Sequence, residues 1–189
     1  MRSGLFLISL LIALTTLGQS KQEVEEHIEA ADFPGQAKSF AERLFEGEKI
    51  HWIKEQNQDK ISYEAKAKVG KVKYSLEFDE NGKFEDLEFV IKKKQLPEKV
   101  RQEIEMHLNS KFERFKIGKI QEQWSGEKSL LRSSVQIEKK DAALSRRYEL
   151  VVNAKEKGKY ITYEFLFDSE GRLLKSQEVE ESNHDNFFY

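Results

Sequence analysis

One stretch of the chain occurs twice, and it constrains the fold more than any other feature. The two copies are residues 71–91 and 159–179. In each copy, apolar and polar residues alternate up to a Phe-Asp pair, and a glycine follows three residues after the aspartate. Alternation with a period of two is typical of a half-buried strand, and Asp and Gly at the outer positions fit a type I turn. Each copy is therefore predicted to form an antiparallel hairpin.

The same landmarks precede both hairpins in the same order. Pro34 and Pro97 each open a stripe of apolar residues at four-residue spacing, which predicts a helix with one buried face. A KI-x-x-I-x-EQ motif and a Tyr-Glu pair follow in both halves. This order predicts an α+β fold of two tandem α-β-β-β repeats, with antiparallel strands in one or more sheets and the helices packed on one face.

The landmarks also divide the chain. We assign residues 1–20 to a signal peptide, residues 21–95 to the first repeat and residues 96–189 to the second, with an insertion at about 125–145. The start of the first repeat, residues 21–33, fits either a short helical turn or an extended lead-in. The insertion fits either a strand or a short helix.

The first twenty residues have the pattern of a secretory signal. Arg2 precedes an apolar run, and Gly18 and Ser20 form a small-x-small site, which predicts cleavage after Ser20. Cleavage after Gly18 and an uncleaved anchor are the alternatives. The chain contains no cysteine, which excludes a lipoprotein modification, disulfides and thiolate metal sites. We expect a periplasmic or secreted protein without a membrane span once the signal is removed.

Charge is abundant but balanced. Charged residues make up 35% of the chain, yet the formal net charge is -2 and the sequence pI is about 6.2. A nucleic-acid-binding protein would gather its basic residues on one face and have a high pI. The composition therefore predicts no nucleic-acid partner.

The ordered landmarks resemble a known family. They are similar to the PepSY-like, β-lactamase-inhibitor-protein-like domains of secreted and periplasmic bacterial proteins, and to two-repeat secreted proteins of Bacteroidetes-type bacteria. The resemblance implies a helix plus antiparallel strands in each repeat. It does not imply an enzyme, and the inhibitor members bind partners through the open sheet surface, although no inhibitor hot-spot motif matches here. The matching residues are Pro34, Ala37, Ala41, Phe45, Ile50, Ile53, Tyr63, Glu64, Tyr74, Phe78, Asp79 and Gly82, and Pro97, Val100, Ile104, Leu108, Ile117, Ile120, Tyr148, Glu149, Tyr163, Phe167, Asp168 and Gly171.

No catalytic motif is recognisable in the sequence. The four histidines show no metal-ligand spacing, and His107 falls on the apolar side of its helix, where a partly buried structural role is expected. There is no G-x-S-x-G elbow, P-loop or H-E-x-x-H motif. Asp79 and Asp168 recur, but their turns explain them. The sequence therefore predicts no catalytic residue, no metal site and no cofactor.

The sheet faces provide a candidate partner site. Opposite its helix, the first half carries Lys, Ser and Glu, and this face is expected to be solvated. The second half is more apolar there, which indicates a partner surface unless residues 125–145 fold over it. We predict an exported, non-catalytic envelope protein that binds a protein or envelope component, with a periplasmic hydrolase or metal-dependent enzyme as the alternative. The predicted partner-binding residues are Val151, Tyr160, Thr162 and Leu166.

Overall fold

The computed structural model describes residues 23–57, 60–127 and 144–179. This part of the chain forms a meander of strands and two α-helices, with a short 3₁₀ turn, Lys93–Gln95, before the second helix. The helices are α1 (Gly35–Leu44) and α2 (Glu98–Lys111). The strands are β1 (Glu23–His27), β2 (Ile50–Asn57), β3 (Lys60–Val69), β4 (Val72–Asp79), β5 (Phe84–Val90), β6 (Arg114–Ser125), β7 (Ser145–Glu156), β8 (Lys159–Asp168) and β9 (Leu173–Glu178).

All nine of these strands belong to one antiparallel sheet, and their order in the sheet is their order in the chain. The β5–β6 pair joins the two halves into one continuous sheet. The predicted α+β class is therefore confirmed. The strand count was wrong, because four strands follow each helix and not three. The KI-x-x-I-x-EQ segment and the Tyr-Glu segment each form a separate strand ahead of the hairpin.

Both helices start directly after the expected prolines. Pro34 and Pro97 are the N-cap residues, with φ of -54° and -53°. Proline suits this place because its fixed φ is compatible with a helix start and it has no N–H to leave unpaired. The predicted apolar stripes are the buried faces of the helices, and both pack on the same side of the sheet. The residues buried within the helices are Ala37, Ala41 and Leu44 in α1, and Val100, Ile104 and Leu108 in α2.

Each helix packs against the sheet over its own aromatic core. Phe78, fully buried, packs edge-on against Phe33 with ring centroids 5.8 Å apart. Phe167, also fully buried, stacks on Phe165 at 6.0 Å. Phe89 of β5 packs against both cores and so connects them. Phe78 and Phe167, the aromatic residues of the two Phe-Asp pairs, are therefore both core residues.

The two hairpin turns have the predicted chemistry. Asp79 accepts hydrogen bonds from the backbone N–H groups of Asn81 (2.9 Å) and Lys83 (2.8 Å). Asp168 accepts the equivalent bonds from Glu170 and Arg172, both at 2.9 Å. The glycines that end the turns have positive φ, 73° at Gly82 and 85° at Gly171. Such a conformation is accessible to glycine and strained for other residues.

Several expectations fall partly or wholly outside the described residues. These are the signal peptide at 1–20 and most of the insertion at 125–145. The lead-in is extended where it is described, since residues 23–27 form β1 and pair with β2. Within the described ranges, neither helix has the length and apolar character needed to cross a bilayer.

Candidate functional site

The side of the sheet that faces away from α1 and α2 is called the open face here. Its central polar residues are more buried than the sequence indicated, because side chains from both neighbouring strands flank each of them at about 5 Å. The expectation of a solvated face in the first half therefore fails for these central residues, although Lys68, Lys71 and Lys73 are exposed. The buried polar residues of the open face are Glu64 (6% exposed), Ser75 (6%), Glu88 (5%), Gln121 (8%), Gln123 (8%) and Glu164 (9%).

Three carboxylates converge on this face across β4 and β5. Glu77 lies directly opposite Asp86, and Glu88 is the next residue of β5 on the same face. One carboxylate oxygen from each of the three lies within 4.8 Å of the others. Glu77, Asp86 and Glu88 are called the carboxylate cluster.

Burial raises the pKa of all three carboxyls above the ordinary range. For Glu77 and Asp86, the negative charge of Glu88 is the next contribution in the same direction. Lys119 acts to lower the pKa of Glu88, and Arg147 that of Asp86, but burial outweighs both. The cluster therefore combines low solvation with like charge, the two conditions that make an ionised carboxylate unfavourable.

Two glutamines of β6 border the cluster. The side-chain amides of Gln121 and Gln123 donate to different oxygens of Glu88, the second at 3.0 Å. The carbonyl oxygens of both amides are buried and accept no hydrogen bond, and the same holds for Oδ1 of Asp86. The site therefore contains more oxygen acceptors than donors.

A second acidic group lies beside the first but is neutralised. Glu25, Glu55 and Glu64 also bring carboxylate oxygens within 4.8 Å of one another. Here the Nζ of Lys66 lies 2.7 Å from Glu64 and 3.3 Å from Glu25. Burial opposes the charge of Lys66, yet Glu64 holds the pKa of this lysine above its ordinary value. Lys66 thus supplies a positive charge within this second acidic group.

The four predicted partner-binding residues lie on the open face, in β7 and β8. Tyr160 is 61% exposed, whereas Thr162 and Leu166 are half-buried. Val151 is only 3% exposed, because it lies between Lys119 and Glu164 on the neighbouring strands. Little of Val151 is therefore left for a partner to contact, since the neighbouring strands cover its side chain.

The carboxylate cluster was missed in the sequence. Acidic residues are so frequent in this chain that no pair of them is distinctive. The useful signal is the hairpin, since Glu77 and Asp86 flank the same turn on opposite strands. Reading that signal requires the register, which a β-bulge at Glu85 shifts by one residue. The uneven spacing of the apolar residues Phe84 and Leu87 in the sequence is the local signal for this bulge.

No family model and no curated protein matches the chain. Among solved structures, a DUF2874 family protein from Bacteroides uniformis ATCC 8492 has a TM-score of 0.52 at 10% identity, covering 77% of this chain and 88% of that one. A protein provisionally assigned to the periplasm, from Bacteroides eggerthii DSM 20697, has the same TM-score at 14% identity, and the match covers 77% of this chain and 88% of that one. A BLIP-like protein from Bacteroides fragilis NCTC 9343 has a TM-score of 0.48 at 16% identity, and the match covers 82% of this chain and 92% of that one. At these identities, the structures with the higher score establish a shared fold.

Proposed function

We propose that this protein is exported to the bacterial periplasm or cell exterior and binds a protein or envelope component there without catalysing a reaction. The observation that carries the proposal is the asymmetry of the sheet. One face is covered by α1 and α2, and the other face bears no helix in the described part of the chain. The signal-like residues 1–20 support export, as does the shared fold with a protein provisionally assigned to the periplasm.

The binding surface proposed is the open face of β7 and β8. Tyr160 projects from it into solvent, and Leu166 is half-buried further along the same strand. Aromatic and aliphatic groups held on a rigid sheet lose little conformational entropy when a partner covers them. Thr162, which accepts a hydrogen bond from Asn153 at 3.3 Å, lies between them and would form part of the contact.

We also infer that the chain consists of two PepSY-like repeats, residues 21–95 and 96–189. Each half has a helix that starts after proline, four strands and an Asp-to-Gly hairpin turn. In each half the turn glycine lies against the first turn of the helix. A repeat origin explains why two halves with different outer-face residues share these contacts.

The alternative function is a hydrolase or a metal-dependent enzyme that uses the carboxylate cluster. The raised carboxyl pKa values favour it, since catalytic acids and bases often have shifted pKa values. Against it, no histidine of the described residues belongs to the cluster, and half-buried His107 lies on α2, on the other side of the sheet. The enzyme hypothesis predicts a hydrolytic activity that Glu88→Gln abolishes.

A pull-down from the native envelope fraction tests the binding proposal. The double variant Tyr160→Ala, Leu166→Ala should keep the fold but lose the partner. Met106→Ala is the matched control, because Met106 is 62% exposed on α2, on the opposite face. Loss of the partner in the control but not in the double variant would reject the open face of β7 and β8 as the binding surface.

A further inference from the structure

Three basic side chains and one tyrosine form a corner of the open face. Arg114 of β6 lies opposite Lys155 of β7, and Lys155 lies opposite Tyr160 of β8. In the next row, Lys116 lies opposite Asn153. Side chains in such rows are about 5 Å from their neighbours. Arg114, Lys116, Lys155 and Tyr160 are called the basic corner, and all but half-buried Lys155 are exposed.

The basic corner concentrates positive charge. Of the described residues, those that make up its two rows across β6, β7 and β8 include no acidic side chain. Glu156, at the end of β7, accepts a hydrogen bond from Tyr163, whose ring packs on the helix side. The turn after Glu156 adds exposed Lys157 and Lys159. This corner therefore favours a negatively charged occupant.

A segment of the same chain follows directly from this place. The N–H of Val179, the residue after β9, donates to the carbonyl oxygen of Thr162 at 2.9 Å, and Thr162 lies opposite Asn153. Residues 180–189 come next in the chain and lie outside the described residues. Ten residues can span at most about 33 Å, and the three strand spacings from β9 to β6 amount to about 14 Å. The segment can therefore cross the whole corner.

The composition of residues 180–189 complements that of the corner. The segment contains Glu180, Glu181 and Asp185 and no lysine or arginine, and it continues into Phe187-Phe188-Tyr189. Its carboxylates match the basic side chains, and its aromatic rings can pack on Tyr160, which is 61% exposed. Lysine and arginine also attract aromatic faces. Charge and apolar surface therefore point to the same occupant.

The first half of the chain provides a contrast. Lys71 precedes Phe78 as Tyr160 precedes Phe167, so a lysine stands where the second half has the aromatic residue of the corner. The chain that follows β5 is basic, with lysines at 92–94, whereas the chain that follows β9 is acidic. The pairing of a basic corner with an acidic continuation is thus a property of the second half.

We propose that residues 180–189 dock on the basic corner of their own chain. The acidic residues face Arg114, Lys116 and Lys155, and the aromatic residues cover Tyr160. A partner that binds the open face of β7 and β8 then has to displace this segment. That consequence rests on the proposed function, whereas the docking itself does not and is measured on the isolated protein.

Disulfide trapping tests the docking, because the chain has no cysteine and two introduced thiols report alone. The pair Asn153→Cys, Asn186→Cys removes no charge and should form an intramolecular disulfide under mild oxidation, detected by intact mass and by a non-reducing gel. The control pair is Met106→Cys, Asn186→Cys. Met106 is 62% exposed on α2, on the opposite side of the sheet, and Asn153 is half-buried, so random collision would favour the control.

Charge reversal tests the complementarity. In the Asn153→Cys, Asn186→Cys background, Arg114→Glu with Lys155→Glu should slow disulfide formation several-fold. Added salt should slow it too, since exposed charges are screened. Lys68→Glu with Lys71→Glu is the matched control, because it changes the net charge equally at exposed positions of the first half and should leave the rate unchanged. Circular dichroism of each variant checks the fold.

Equal rates of disulfide formation in the two cysteine pairs would overturn the proposal. Disulfide-linked dimers in place of the intramolecular product would also overturn it, because the occupant would then be a second copy. So would an unchanged rate after Arg114→Glu with Lys155→Glu. None of these results depends on the pull-down, so failure of the docking and failure of the proposed function are distinguishable.

Discussion

Gly82 packs directly against Pro34: a β-carbon added at position 82 would lie 2.7 Å from the β-carbon of the proline. The second half has the same kind of contact, because a β-carbon at Gly171 would lie 2.9 Å from the carbonyl oxygen of Val100. Each hairpin turn therefore packs against the first turn of its helix. The missing side chain is what allows the sheet and the helix to meet there.

Gly82→Val and Gly171→Val should therefore destabilise the protein strongly. Each variant combines a strained positive φ with a steric clash against a helix. Gly70→Val is the matched control, because Gly70 also has a positive φ, 60°, but a β-carbon added there would have no neighbouring atom within 4 Å. The control should cost about 1–2 kcal/mol, and the other two should cost clearly more. Urea unfolding measures the difference, and equal losses at all three glycines would contradict the proposed contacts.

Phe78→Ala and Phe167→Ala should each lower the free energy of unfolding by about 3–5 kcal/mol. Both rings are fully buried, so truncation leaves a cavity between sheet and helix. Tyr160→Ala, at an exposed aromatic, should change stability by less than about 0.5 kcal/mol. Chemical denaturation of the three variants makes the comparison. A small loss at either phenylalanine would mean that its aromatic core is not essential.

Asp168 should contribute to the acid sensitivity of the fold. Slight burial opposes its charge, but the Arg172 side chain, at 2.7 Å, and the N–H groups of Arg172 and Glu170 lower the pKa of Asp168. A lowered pKa in the folded state means that its stabilisation is present above the unfolded-state pKa and is lost as pH falls through the folded-state value. Asp168→Asn should therefore show less loss of stability between neutral and acidic pH. Unfolding curves across that range check this, and identical pH profiles for variant and unaltered protein would refute it.

If the protein is exported, the signal peptide at its N-terminus should be removed and the mature chain should be shorter. Expression in a Gram-negative host should deliver a protein whose N-terminus is Lys21, or Gln19 if cleavage follows Gly18. Cell fractionation and intact mass measurement decide between these ends. A full-length chain that stays in the cytoplasm would remove the basis for an envelope function.

Local patterns account for the parts of the fold that the sequence predicted. The positions of Pro34, Gly82 and Phe78 depend on capping, turn geometry and alternation, all of which act over a few residues. Which side chains meet on the open face depends on the register of the strands. One extra residue in β5 and one in β6 alter that register. The bulge at Glu85 makes Asp86 the partner of Glu77, and an extra Gly118 in β6 shifts its pairing with β7. The burial of Val151 and the carboxylate cluster are consequences of such long-range pairings, so the sequence alone did not indicate them.

Site-specific photo-cross-linking in the native envelope tests the central claim most directly. A photoreactive residue would replace Tyr160 on the open face or, in a second variant, Met106 on α2, two positions of nearly equal exposure (61% and 62%) on opposite sides of the sheet. Binding through the open face predicts one discrete cross-linked product from position 160 and none from position 106. A discrete product from position 106 alone, or the same products from both positions, would contradict the account.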